Sequence, residues 1–229
     1  MDGLDRAADT PTTSSQTNYT DKKMMDACTD GPSQRLLADG GEPVDQQEHT
    51  SLAQEGEGPV EGERLVGALL DGGVLQFDEA TDELSLDPEV RAAWQESIER
   101  YAALEPEELG ARIRVLAGLP SVDTLDEGNA IWYSLRPEEG GVTSTLTRQV
   151  AVAEIAALEA LESFVDDEDV RRQAVEPLRM FLEQCPVCDT DLVETDTLDC
   201  CGGLVNPNQE PQQVLACPTC DRRLYTFPA

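Results

Sequence analysis

The chain has 229 residues and a formal net charge of −31, and 14 of its 16 basic residues are arginine. This length suffices for one medium-sized domain with a small one or a long tail, and no stretch approaches the ~20 apolar residues of a membrane span. Acidity spread along the whole chain is typical of a protein adapted to molar salt, where a Debye length of about 3 Å screens the self-repulsion. The alternative is an ordinary acidic regulatory protein, although a merely acidic tail would concentrate the charge in one segment.

The first 60 residues are rich in Asp, Thr, Gln, Gly, Ser and Pro and poor in large apolar side chains. Such a segment cannot bury enough apolar surface to offset its ordering entropy, so we predict a disordered acidic tail over 1–60. It contains Cys28, to which we assign no role, and His49, the one histidine of the chain. Histidine-dependent catalysis is therefore disfavoured, and we expect the protein not to be an enzyme.

A more apolar composition begins near residue 61 and predicts an α-rich α+β domain over 61–184. The clearest helix start is Asp87-Pro88-Glu89, which combines an N-cap acid, a proline in the first turn and a carboxylate at the positive end of the helix dipole. We expect Pro177 to kink or split the last helix. In chain order, the predicted elements are a helix at 63–70, a hairpin of 74–77 with 84–86, helices starting at 87 and 105, a hairpin of 130–135 with 142–146, and helices at 147–164 and 168–183.

Six of the seven cysteines lie in the last 45 residues, and four of them form two Cys-Pro-x-Cys pairs, Cys185 with Cys188 and Cys217 with Cys220. In a reducing cytoplasm, where we expect this protein, such pairs are typical of metal ligands rather than disulfides. Four thiolates complete the tetrahedral shell of one structural Zn²⁺ per chain. Residues 185–229 are too few for a self-sufficient core, so a metal ion has to supply the missing stability. Structural zinc contributes about 10 kcal/mol of folding free energy. Strands are predicted at 192–198, 214–216 and 223–227.

The two knuckles, with three short strands between and after them, resemble the zinc-ribbon superfamily over residues 185–227. More broadly, the chain is similar to zinc-ribbon proteins of halophilic archaea whose function is uncharacterised. The resemblance implies a small antiparallel sheet around zinc, but no particular activity, because ribbons serve in transcription factors, ribosomal proteins, enzymes and adaptors. Many ribbons place glycine after the second cysteine of a knuckle, whereas this chain has Asp189 and Asp221 there.

Cys200 and Cys201 are adjacent, and successive side chains of a regular strand face opposite sides, although Gly202 and Gly203 relax that limit. Three interpretations stay open. One thiol is buried near the site and the other is inert; or one replaces a knuckle ligand or helps to form a second metal site; or the two form a redox-active pair.

Arg222 and Arg223 follow the second knuckle and are candidates for a partner or nucleic-acid contact. The alternative is that they form ion pairs with the many nearby carboxylates. Salt weakens the nucleic-acid hypothesis further, because six phosphate contacts would lose roughly 10⁶ to 10⁷ in affinity between 0.15 and 3 M salt.

The leading hypothesis is a non-enzymatic zinc-binding interaction or regulatory protein of a high-salt cytoplasm, in transcription or another information-processing assembly. A protein is the expected partner, nucleic acid is a second option, and no membrane contact is expected. Two alternatives stay open: a sequence-specific DNA-binding regulator, and a thiol or metal sensor that uses Cys200 and Cys201.

Overall fold

A computed structural model describes residues 51–52, 62–128, 130–136, 143–198 and 210–228. These residues contain five α-helices, one short 3₁₀-helix and eight strands, which confirms the predicted α+β class. The helices are α1 (Gly62–Asp71), α2 (Pro88–Ala102), α3 (Pro106–Leu116), α4 (Arg148–Leu161), α5 (Glu168–Leu178) and the 3₁₀-helix Arg179–Phe181. The strands are β1 (Leu75–Asp78), β2 (Glu83–Leu86), β3 (Ser121–Asp126), β4 (Ile131–Arg136), β5 (Ser144–Thr147), β6 (Val193–Asp196), β7 (Gln213–Cys217) and β8 (Arg222–Thr226).

Side-chain caps mark the starts of three helices. The predicted start at Asp87 is confirmed: its Oδ1 accepts hydrogen bonds from the backbone N–H groups of Glu89 at 2.7 Å and Val90 at 3.4 Å. Asp167 caps α5 in the same way, and Thr147 caps α4. Each cap satisfies backbone donors that have no partner within the helix, so these boundaries follow from local sequence.

The segment α1–β1–β2 packs less deeply than its apolar pattern indicates. In α1 only Leu69 is fully buried, while Val66 and Leu70, which lie on the same face of the helix, are 36% and 37% exposed. β1 and β2 form the predicted antiparallel hairpin, with Leu75 opposite Leu86 at its buried end.

The central sheet has three antiparallel strands in the order β3–β4–β5. The predicted pairing of β4 with β5 is confirmed, with Trp132 opposite Thr147. The sequence prediction missed β3, which pairs along the whole of β4 from Ser121 opposite Arg136 onward. This strand carries two aspartates among its six residues, so its stability comes from the ladder with β4 rather than from intrinsic strand propensity.

Helix α4 lies at the centre of the fold. Eleven of its 14 residues are buried, which is more than one face of a helix can account for. α2 packs against it, and the Trp94 indole N–H donates a hydrogen bond to the Ala153 carbonyl at 2.9 Å. The many alanines of α4 allow neighbouring elements to approach from all sides.

No helix in the described part of the chain has the length and apolarity to cross a bilayer.

The chain passes from α5 to the cysteines with a change of helix type at the predicted position. α5 ends at Leu178, directly after Pro177, and a 3₁₀ turn follows. Strands β6, β7 and β8 then form an antiparallel sheet in that order, as predicted. One apolar cluster runs without a break from α4 and α5 into this sheet and includes Leu161, Cys185 and Leu224.

A buried ion pair lies where α4 meets the last sheet. Glu154 is 0% exposed and Arg179 is 3% exposed; Arg179 Nε lies 3.2 Å from Glu154 Oε1, in an ion pair without good hydrogen-bond alignment. Arg179 also donates to the Leu224 carbonyl at 2.5 Å. Ser51 and Leu52, the described residues of the segment predicted to be disordered, are buried here, and the Leu52 N–H donates to Glu154 Oε2 at 2.5 Å. The rest of 1–60 lies outside the described residues.

Candidate metal centre

Each Cys-Pro-x-Cys pair forms the same tight turn. The Asp189 N–H donates to the Cys185 carbonyl at 3.0 Å, and the Asp221 N–H donates to the Cys217 carbonyl at 2.9 Å. Both aspartates have a positive φ, 55° and 53°, in the left-handed region that favours glycine. These positions therefore have the turn geometry that glycine provides in many ribbons, and aspartate tolerates it better than most residues with a Cβ.

The two turns bring four sulfur atoms together, as predicted. Cys188 Sγ lies 3.4 Å from Cys220 Sγ and 3.5 Å from Cys217 Sγ, and Cys185 Sγ lies 3.9 Å from Cys220 Sγ. A tetrahedron with Zn–S bonds of about 2.3 Å has edges of about 3.8 Å, whereas a disulfide requires about 2.0 Å. All four ligand atoms lie within 4.8 Å of one another. The arrangement fits a single four-coordinate metal ion.

Burial and hydrogen bonding together set the pKa values of Cys185, Cys188 and Cys220. Burial raises the pKa of Cys185 far above the usual thiol range and that of Cys220 to about 11. Burial acts in the same direction on Cys188, but the hydrogen bonds that this thiol forms with Thr190 and with the neighbouring thiols outweigh it and lower its pKa to about 7. A metal ion binds thiolates, so its binding must displace protons from the buried thiols.

Side chains outside the four cysteines support the site, and the sequence did not reveal them. Thr190 Oγ1 lies 3.3 Å from Cys188 Sγ and 3.1 Å from Thr219 Oγ1, so hydroxyl groups link the two turns. Gln149, near the start of α4, forms a side-chain hydrogen bond to the Cys220 thiol. This bond acts against burial and keeps the pKa of Cys220 from rising further. The role of Thr190 could have been predicted, because it lies two residues after Cys188. The role of Gln149 could not, because its contact with Cys220 joins residues that are distant in the sequence.

The two predicted contact arginines are engaged within the molecule. Arg222 donates to the Asp221 carbonyl at 2.8 Å, and its guanidinium lies 5.7 Å from the centre of the Trp132 ring of β4. Arg223 also has an interaction partner. As neighbours in β8 they project to opposite faces of the strand, so they do not form one basic patch.

Cys200 and Cys201 lie outside the described residues, so the three interpretations of this pair stay predictions. The knuckle cysteines complete a tetrahedral set by themselves. Cys185 and Cys217 are each 1% exposed, and Cys188 and Cys220 are half-buried.

The paired turns and the antiparallel sheet bring four thiols into a zinc-ribbon-like arrangement that could hold a metal ion. The chain belongs to a family of unknown function, DUF8054, whose central domain matches residues 64–180. No curated protein and no solved structure matches the chain. The family match ends before Cys185, so the central domain includes α4 and α5 but none of the four thiols.

Proposed function

We propose that the protein is a non-enzymatic, zinc-binding interaction protein of a high-salt cytoplasm, in which the metal has a structural role. The observation that carries this proposal is the closed set of four thiols. With a thiolate at each vertex, the ion has no open position for water or substrate, which is the arrangement of structural rather than catalytic zinc. The ion would supply folding free energy to the sheet β6–β8.

Metal content tests this proposal on the full chain, prepared in molar KCl and analysed by native mass spectrometry and elemental analysis. We expect one zinc per chain, and loss of that zinc in Cys185→Ser and in Cys217→Ser. Cys28→Ser is the control and should keep it. Cys200→Ser and Cys201→Ser should also keep it, because the four knuckle thiols suffice. Two zinc ions per chain, iron in place of zinc, or loss of metal in Cys201→Ser would contradict the closed-zinc proposal.

An exposed apolar surface at the tip of the hairpin β1–β2 supports the proposal that the partner is a protein. Phe77 and Leu84 lie directly opposite each other, 50% and 39% exposed. They continue the face that Leu75 and Leu86 bury at the other end. Four carboxylates and no cation surround them in residues 78–83. This surface fits an amphipathic, basic partner segment, and at molar salt apolar contact would dominate the affinity because charge is screened.

Capture from a lysate kept in molar KCl tests the partner surface. The baits are the wild-type chain, the double variant Phe77→Ser with Leu84→Ser, and Val115→Ser as control. Val115 is an exposed apolar side chain elsewhere in the fold, 61% exposed, on α3. We expect a protein with a basic amphipathic segment to bind the wild type and Val115→Ser but not the double variant. Equal capture by all three baits would exclude the hairpin tip as the contact.

A further inference from the structure

The ion pair Glu154–Arg179 connects three parts of the chain. Both residues lie inside the matched central domain, 64–180. Apart from Glu176, which lies inside the domain, their partners come from either side of it: Ser51 and Leu52 before the domain, and Leu224 of β8 after it. The other five residues are all at most 8% exposed. The N-terminal segment and the metal-binding sheet therefore meet at one buried polar junction.

We propose that Glu154 and Arg179 form a docking site for residues 51–52 of the same chain, and that occupation of this site holds the sheet β6–β8 against the central domain. The ligand is a dipeptide that presents a hydroxyl group, a free backbone N–H and a leucine side chain. This inference goes beyond the zinc proposal, since none of the residues that carry it is a metal ligand.

The chemistry of the site explains why occupation matters. Glu154 Oε1 faces Arg179 Nε, while Oε2 accepts the Leu52 N–H, and the Ser51 side chain adds a further hydrogen bond. Leu52 is 4% exposed and belongs to the continuous apolar cluster. Removing the segment leaves a fully buried carboxylate without its hydrogen-bond donors, which is costly unless water enters.

Arg179 transmits this cost to the sheet. Its guanidinium contacts Glu154 on one side and the Leu224 carbonyl on the other, and it also lies 3.5 Å from Glu176 Oε1. Water that enters beside Glu154 competes for the same guanidinium and weakens its hydrogen bond to Leu224. Loss of residues 51–52 from the site therefore loosens β8, although these residues lie far from it in the sequence.

Hydrogen–deuterium exchange on the full chain tests this coupling, with the variants Leu52→Asp and the milder Leu52→Ala. We expect exchange of the β8 amides to rise about tenfold or more in Leu52→Asp, as for the loss of one hydrogen bond to a charged group. The amides of α2, which is joined to α4 by the hydrogen bond from Trp94 to the Ala153 carbonyl, should keep wild-type protection. Val115→Asp changes an exposed apolar side chain of α3, is the control, and should exchange like the wild type.

Unchanged β8 exchange in both Leu52 variants would overturn the proposal. So would an equal loss of protection in α2 and β8 in both variants, because Leu52 would then be an ordinary core residue without selective coupling. The readout does not depend on which metal is bound. A failure of the zinc proposal would appear in the metal count, whereas a failure of this one would appear in the exchange of β8.

Discussion

Glu154 is the residue whose environment departs most from what its type suggests. Burial raises its pKa to about 6, although Arg179 and the hydrogen bonds from residues 51–52 act in the opposite direction. Glu176, the other carboxylate that faces Arg179, adds a smaller upward contribution. Because the pKa of Glu154 stays below neutral, the carboxylate is ionised and paired at pH 7. The ion pair is retained there at a desolvation cost.

This raised pKa predicts a pH dependence of stability. The folded state holds the Glu154 proton more strongly than the unfolded state, in which the pKa is near 4.5. The stability contributed by this group is therefore greatest at low pH and is lost as the pH rises through 6. In molar KCl, the free energy of unfolding of the wild type minus that of Glu154→Gln should therefore fall between pH 5 and 7. The expected fall is on the order of 1–2 kcal/mol, at about 1.4 kcal/mol per pKa unit.

Glu168→Gln is the matched control, measured by the same chemical denaturation. Glu168 is an exposed carboxylate of α5 whose pKa is lowered by its hydrogen bond to Arg172. It is ionised in both states above pH 5, so its difference profile should be flat. A flat profile for Glu154→Gln as well, or one that rises with pH, would show that the pKa of Glu154 is not raised in the folded state.

At the scale of elements, the accurate predictions are those with a local cause. The start of α2 follows from the cap at Asp87, and the change from α-helix to 3₁₀-helix lies within two residues of Pro177. Both effects act within one turn of the chain. The strand β3 was missed because its stability depends on pairing with β4, which comes later in the sequence. The burial of α4 on all sides was missed for a similar reason, since a helix pattern does not report how many neighbours surround it.

The candidate metal centre follows the same division. Cysteine spacing alone predicted the four thiols, because a Cys-x-x-Cys turn places two sulfur atoms at one point. The contribution of Gln149 and the docking of β8 by Arg179 were not predictable, because both join residues that are distant in the sequence. The sequence also suggested a basic contact at Arg222, and the position of Trp132 beneath that guanidinium could not be foreseen.

At the scale of the whole molecule, charge repulsion opposes the packing described above. The net charge is −31, and no cation other than 14 arginines and two lysines offsets the 47 acidic residues. The internal ion pair Glu154–Arg179 is shielded from solvent ions, whereas the surface carboxylates are not. Salt should therefore stabilise the protein through its surface and leave the buried junction almost unchanged.

We accordingly expect the thermal unfolding midpoint of the metal-loaded chain to rise steeply between 0.1 and 1 M KCl and to level off above that. Over this range the Debye length falls from about 10 Å to about 3 Å, after which little repulsion remains to be screened.

A variant with Asp78→Asn, Glu79→Gln, Asp82→Asn and Glu83→Gln is the control, since it reduces the net charge from −31 by four at the exposed hairpin tip. Asparagine tolerates the positive φ of 59° at position 82. Because self-repulsion scales with the square of the net charge, the salt-dependent rise of this variant should be smaller by about a quarter. A midpoint that does not change with KCl would contradict adaptation to molar salt, and the composition would then reflect an ordinary acidic protein.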